Sequence, residues 1–301
     1  MKAFCTIVTS SHVPFAVALF ESYWRYANIP LEVLCVDRKN VRFIDKVPDG
    51  LKLRFLDEVV LQPVGDEILV KYANESDALR WSLKSVWMYY LLTTGGYNYV
   101  AFTDPDLFFF GDPVFLFDEI ENSSVLLSPH WRSSDPVQDP FNFELNFRDG
   151  IYNGGFIGAS TAGLNAFEWL ATACLYKCER TFDRGLFVDQ KYLDLLPTRF
   201  DNVKFIRHKG CNVANWNQVD CKRHLVDGRV LINGEFPVVF IHFTQSTIRG
   251  IVSGEDHLLE PYLREYQATV NRIDPTIPIL PLAYGRKQAR LIDRVLRFFK
   301  S

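Results

Sequence analysis

Short, nearly unbroken apolar runs alternate along this chain with longer segments in which apolar residues return every three or four positions. That alternation predicts strands and helices in succession. Phe4-Cys5-Thr6-Ile7-Val8-Thr9 is the first run, and the helical spacing of Val13 to Ala27 follows it, opening near Pro14 as helices often do. Leu31 to Asp37 predicts a second strand ending in an acid, and Lys52 to Leu56 a third, after the turn signal Pro48-Asp49-Gly50. The clearest helix spans Ser76 to Leu92: Ala78, Leu79, Leu83, Val86, Trp87, Tyr90 and Leu91 share one face, and Gly95-Gly96 stops it. Tyr99 to Thr103 then reads as a buried strand that delivers Asp104-Pro105-Asp106 at its C-terminal end. Strands apolar at nearly every position must be covered on both faces, so the pattern predicts an α/β fold with a mainly parallel central sheet.

The second half is less regular. After a short strand at Val125 to Leu127, the stretch from Pro129 to Gly150 is polar, aromatic and without clear period, as binding lids often are. Tyr152 to Gly158 follows, then a helix around Leu164 to Lys177, a helical turn opening at Phe187 to Tyr192, and late strands at Val230 to Ile232 and Pro237 to His242. Without a repeat or linker, one domain is expected through residue 275 and a distinct tail over 276–301. Between Gly285 and Ser301, Arg286, Lys287, Arg290, Arg294, Arg297 and Lys300 face a single acid, Asp293. Leu291, Ile292, Val295, Leu296, Phe298 and Phe299 gather on the other side of that predicted helix. Such a basic amphipathic helix suits an anionic membrane surface, and docking on the domain is the alternative.

Composition narrows the class. In 301 residues, 33 Lys+Arg against 36 Asp+Glu leave a net charge of −3, too balanced for a dedicated nucleic-acid binder. Longer apolar runs are interrupted, the longest by Thr93 to Gly96, so no membrane-spanning helix is expected. The six cysteines form no CxxC pair and no secretory leader precedes the first strand, which predicts reduced thiols and a cytoplasmic location, peripheral to the membrane if the tail binds it.

Two carboxylates one residue apart at a strand end, Asp104 and Asp106, can share a divalent cation, because the turn aims both into one crevice. His242 ends a late strand, where an imidazole could either complete such a site or bond to backbone. Thr9, Ser10 and His12 form a polar turn after the first strand, and Asp37 ends the second. Asn153-Gly154-Gly155 places two residues without bulk beside an amide, so that backbone could approach a ligand closely; a plain turn is the alternative. Asp189 could equally cap a helix.

Taken in order, Thr103-Asp104-Pro105-Asp106-Leu107-Phe108-Phe109, Ser128-Pro129-His130, Tyr152 to Gly158, Gly185 to Lys191, Cys211 to Asn217 and His242-Phe243 resemble the GT-A fold glycosyltransferases, close to family 8 and its bacterial cell-surface polysaccharide relatives. The resemblance implies a Rossmann-like domain that moves a hexose from a UDP-sugar to a glycan acceptor. It implies a metal, Mn²⁺ or Mg²⁺, at Asp106, Asp104 and His242, with Asp104 also placed to reach the donor ribose. It puts Thr9, Ser10, His12 and Asp37 near the nucleotide, Lys84 against the donor phosphates, and Asn153, Gly154 and Gly155 along the sugar. Asp189 and Gln190 are implied beneath the donor sugar, with Gln190 facing the anomeric carbon. Retention of configuration is implied, whereas an inverting route would require a carboxylate base such as Asp189 or Glu144. The Ser-Gly and Lys-Pro-Trp of many relatives are absent after His242-Phe243; Thr244-Gln245 stands there, and Arg249 is the candidate replacement. A nucleotidyltransferase would need a Gly-rich phosphate loop where Thr9-Ser10-Ser11-His12 stands. A binding subunit without turnover would keep the same residues.

Overall fold

The alternation along the chain becomes a layered sheet in the computed structural model, which describes residues 1–37, 47–181 and 184–277. The first half contains β1 (Lys2–Val8), α1 (Val13–Trp24), β2 (Leu31–Cys35), β3 (Leu51–Phe55), α2 (Gly65–Lys71), α3 (Ser76–Thr93), β4 (Tyr99–Thr103), β5 (Leu107–Phe109), α4 (Val114–Glu121) and β6 (Val125–Pro129). The middle holds α5 (Pro140–Arg148), β7 (Tyr152–Ser160), α6 (Leu164–Tyr176), β8 (Arg180–Thr181), β9 (Leu186–Phe187), α7 (Leu196–Arg199) and β10 (Val203–Phe205). The last part adds β11 (Arg223–Val226), β12 (Arg229–Ile232), β13 (Phe236–Pro237), β14 (Phe240–His242), α8 (Gln245–Val252) and α9 (Glu260–Ile273). The basic helix expected over 285–301 lies outside the described residues.

Seven strands form the central sheet in the order β10-β6-β7-β4-β1-β2-β3. Within it every neighbouring pair is parallel except the two made by β7, which runs antiparallel between β4 and β6. The unbroken apolar strands have the predicted cause. Ala3, Cys5 and Ile7 of β1, Val100 and Phe102 of β4, and Ile157 and Ala159 of β7 face the core beneath α2, α3 and α6. Their alternates Phe4, Val8, Ala101 and Phe156 face the core beneath α1 and α4. A third cluster joins β5 and β14 to α8 and α9.

Two expectations are corrected. The stretch from Pro129 to Gly150 carries α5, started by Pro140 and by the Asp139 side chain, which accepts from the Asn142 N–H. Leu145 is its one fully buried residue, so no apolar period marked it. The run Pro237 to His242 is split: Phe236 and Pro237 pair with β12, while Phe240 to His242 pair with β5. Pro237 has no N–H to continue a ladder, and the Val239 N–H donates to the Gly210 carbonyl instead, at 2.8 Å.

A charged group is buried inside the sheet. Glu32, fully buried on β2, accepts from Arg54 Nε at 2.9 Å, Lys52 Nζ at 3.1 Å and Tyr97 Oη at 2.6 Å. Burial pushes its carboxyl up, but the hydrogen bonds from Arg54, Tyr97 and Lys52 outweigh that and hold it below the ordinary glutamate value. A folded-state pKa below the unfolded one means stability that is complete above the unfolded value, about 4.3, and lost as pH falls through the lower folded value. Glu32→Ala is therefore expected to cost about 2–3 kcal/mol at neutral pH. In urea titrations the difference from wild type should shrink below about pH 4; a constant gap would refute the assignment.

Candidate active site

The candidate site forms where β4, β5, β7 and β14 meet, because backbone pairing there brings distant segments together. β4 ends at Thr103, and the next amide, of Asp104, donates to the Gly155 carbonyl at 2.8 Å. β5 pairs antiparallel with β14 in a register that sets His242 opposite Leu107. The Phe243 N–H then donates to the Asp106 carbonyl at 2.9 Å. As a result His242 Nε2 lies 3.1 Å from Asp106 Oδ1, and ligand atoms of Asp104, Asp106 and His242 all fall within 4.8 Å of one another.

This set fits a divalent cation. It combines two carboxylates and one imidazole, a donor mix that Mn²⁺ and Mg²⁺ accept, with Asp104 and Asp106 partly open and His242 buried. The second nitrogen, Nδ1, is buried without a partner. The sheet has been shaped to admit the ring: a Cβ on Gly155 would stand 2.5 Å from His242 Cε1 and 2.7 Å from Asn153 Oδ1, so only glycine fits there.

Beside the acidic pair, α3 inserts Lys84, which is 6% exposed. Its Nζ donates to the Gly154 carbonyl at 2.9 Å and lies 3.3 Å from both Asp104 Oδ1 and Asp189 Oδ2. Burial alone would push this ammonium down; Asp104 and Asp189 outweigh it and hold the pKa above the ordinary lysine value, so the charge is kept. The Asp189 carboxylate makes no capping bond to the 3₁₀ turn Gln190–Leu195 that it precedes. It is aimed at Lys84 instead, after Val188, a β-branched residue held at a left-handed φ of 47°.

Neutral amides line the other side. Gln190 Oε1 accepts from the Gly154 N–H at 3.0 Å and from Asn153 Nδ2 at 3.2 Å, and Gln190 Nε2 donates to the Asp149 carbonyl at 2.9 Å. Asn153 Oδ1 accepts from the Gly155 N–H at 3.0 Å, and Asn153 Nδ2 lies 3.2 Å from His130 Nε2. Both side chains are thus committed to holding the glycine backbone of β7. Burial, then Arg132, lowers the His130 pKa well below the usual value and leaves that imidazole neutral. Trp216 stands edge-on between His130 and His242, with centroids 5.6 and 5.4 Å away, and donates from Nε1 to the His130 carbonyl. His130 and Trp216 belong to the motifs quoted above, but nothing in their spacing assigned them to the site.

The loop after β1 forms a second group. Thr9 Oγ1 lies 2.8 Å from His12 Nδ1, and the Ser10 N–H donates to Asp37 Oδ1 at 2.7 Å, joining the ends of β1 and β2. Burial, then Arg80, lowers the His12 pKa below the ordinary histidine value. Glu144 is exposed on α5 and Arg249 on α8.

No family model matches the chain. Among curated proteins it is 32% identical over 253 residues to the uncharacterized protein YfnF of Bacillus subtilis, covering 81% of each. It is 30% identical over 279 residues to YfnD of the same organism, covering 90% of this chain and 85% of that protein. Among solved structures, the galactosyltransferase LgtC in complex with donor and acceptor sugar analogs superposes with a TM-score of 0.55 at 10% identity, covering 92% of this chain and 98% of that one. Mouse xyloside xylosyltransferase 1 in its apo form gives 0.50 at 15%, with 82% and 99% covered. These likenesses establish the fold, which is GT-A-like.

The buried lysine makes a direct prediction. Lys84→Met leaves Asp104 and Asp189 facing each other without a cation and should cost about 3–5 kcal/mol in urea unfolding. Adding Asp189→Asn should recover part of that loss, as a coupling of about 0.5–3 kcal/mol. Strictly additive losses would show that Lys84 does not hold the pair.

Proposed function

The chain belongs to the family of the Bacillus subtilis proteins YfnF and YfnD, and on that premise we propose that it is a metal-dependent glycosyltransferase moving a hexose from a UDP-sugar to a glycan acceptor. The observation that carries this reading is the Asp104, Asp106 and His242 cluster at the C-terminal edge of a GT-A-like sheet, the edge at which open α/β sheets take their ligands. The names of the solved structures that share the fold, a galactosyltransferase and a xylosyltransferase, support the same class.

Asp104, Asp106 and His242 would hold Mn²⁺ or Mg²⁺, which when bound neutralises the charge that develops on a departing nucleoside diphosphate. Lys84 adds a second, fixed positive charge beside the same carboxylates and needs no proton transfer to supply it. Thr9, Ser10, His12 and Asp37, at the ends of β1 and β2, would receive the nucleoside. Gly154 and Gly155 would let the β7 backbone, held by Asn153 and Gln190, lie close to the sugar.

Retention of anomeric configuration is the reading we favour. Burial, opposed by Lys84, holds the Asp189 carboxyl above the ordinary aspartate value, yet that carboxylate is already engaged by the Lys84 ammonium at 3.3 Å, and Glu144 is an exposed residue of α5. The leaving phosphate oxygen is then the group that takes the acceptor proton. We assign the enzyme to bacterial cell-surface polysaccharide assembly, on the cytoplasmic face of the membrane. Among the described residues no helix is long and apolar enough to cross a bilayer.

Metal-dependent UDP release should appear with one donor when UDP-glucose, UDP-galactose, their N-acetylated forms and UDP-glucuronate are screened. It should vanish with EDTA and fall by about 10²–10³-fold in Asp106→Ala. UDP binding with metal but no release or transfer would favour a binding subunit; absence of both would sink the proposal. The net charge of +5 over residues 285–301 predicts cosedimentation with anionic liposomes, lost on deleting that segment. Unchanged association would remove the membrane assignment.

A further inference from the structure

Past the wall of neutral amides, the same edge of the sheet carries a group of rings and cations that the candidate site does not use. β6 and β10 run in the direction of β4, so their C-terminal ends open on the edge that holds Asp104 and Asp106. At about 4.8 Å per strand, the end of β6 stands about 10 Å and that of β10 about 14 Å from the end of β4. Trp131 lies just past β6, Tyr152 opens β7 and Phe205 closes β10. The three rings are contiguous: the Phe205 centroid is 6.3 Å from that of Trp131 and 6.4 Å from that of Tyr152. Trp131 follows His130 and Tyr152 precedes Asn153, whose side chains meet at 3.2 Å in the amide wall. Trp131 is held at a left-handed φ of 51°, which a bulky residue keeps only where its surroundings over-determine it.

Two cations lie on these rings. The Arg207 guanidinium sits 3.9 Å from the Phe205 centroid, and the Lys209 ammonium 5.0 Å from that of Trp131. Burial, then Asp194, raises the Tyr152 pKa and Arg207 opposes them, so the guanidinium charge also reaches that phenol. Arg207 is exposed, and Lys209 donates only to the Asp220 carbonyl, at 3.0 Å. Neither cation forms an ion pair among the described residues. The carboxylates nearby are engaged elsewhere: Asp194 takes Lys191 Nζ and the Ile151 N–H, both at 2.9 Å, and Asp220 Oδ1 takes the Ser134 hydroxyl at 3.0 Å. The indole N–H of Trp131 and the hydroxyl of Tyr152 likewise have no hydrogen-bond partner among the described residues.

We propose that Trp131, Tyr152, Phe205, Arg207 and Lys209 form a subsite for an anionic glycan acceptor, holding a sugar that bears a carboxylate or phosphate at a distance from the hydroxyl to be glycosylated. This rests on the glycosyltransferase reading of the site and names the acceptor charge that the reading leaves open. The two cations can give an anion charge-assisted hydrogen bonds, and the guanidinium, already stacked on Phe205, loses little freedom in doing so. The indole N–H and the phenol hydroxyl can bond to sugar hydroxyls beside it. Separation from Asp104 by two to three strands exceeds one hexose ring, so the charged sugar and the reacting hydroxyl belong to different residues of the acceptor.

The probes are two pairs of disaccharides, galactobiose with digalacturonate and lactose with lactose 1-phosphate. They are titrated by calorimetry into the full chain with UDP and Mg²⁺ saturating, so that the donor side is filled. At least one anionic member should bind about tenfold more tightly than its neutral partner, and the gain should shrink as NaCl is raised. Which member gains identifies the anion as carboxylate or phosphate. Arg207→Gln/Lys209→Gln should abolish the gain and leave UDP binding unchanged. Equal binding within both pairs, no binding by any of the four, or a gain that survives in the variant overturns the subsite. So does inorganic phosphate binding as tightly as the disaccharides, which would mean an anion site without a glycan. UDP and metal binding on the same preparations judges the donor-site reading separately, since that reading fails if UDP and metal do not bind.

Discussion

A lysine buried in a protein must find enough oxygen to replace its lost water, and that requirement at Lys84 organises the site. Three acceptors from three segments converge on one ammonium: Asp104 after β4, Gly154 within β7 and Asp189 before the Gln190 turn. Losing any partner would leave charge poorly compensated in a region of low dielectric, so the segments hold one another in place. The position of Lys84 depends in turn on α3, whose apolar face is sunk into the core shared with α6 and β1. Core packing thereby sets the spacing of the acidic groups.

The second constraint is the pairing of β5 with β14. It is the reason His242 meets Asp106, 136 residues away in sequence, at all. The pair also links the third apolar cluster, built on α8 and α9, to the central sheet. Glycine makes the contact sterically possible, since the His242 ring occupies the space where a side chain at position 155 would begin.

Around these charges the protein uses neutral groups. Gln190, Asn153 and His130 bond to one another, and the two amides to the β7 backbone, so the polar wall is ordered without adding charge to a site that already holds two open carboxylates. The excursion between β6 and β7 is fastened to that wall through the Asp149 carbonyl.

The strands and main helices were legible because burial on one or two faces imposes a period that residue types cannot hide. β1, β2, β4 and α3 lie within a residue or two of their expected limits. The acidic pair at the end of β4 was legible too, because a strand end in such a sheet is a defined place. α5 was not, since a helix that buries little carries little period, and the broken strand at Pro237 was not, since an apolar run does not say which neighbour each part will pair with. Tertiary structure alone decided that Asp189 turns to Lys84 in preference to a helix cap, that Gln190 braces β7, and that His130 and Trp216 back the cluster of Asp104, Asp106 and His242. Those choices depend on distances between segments far apart in the chain. Periodicity reports how each segment meets the core, and only the folded packing determines which polar groups then meet each other.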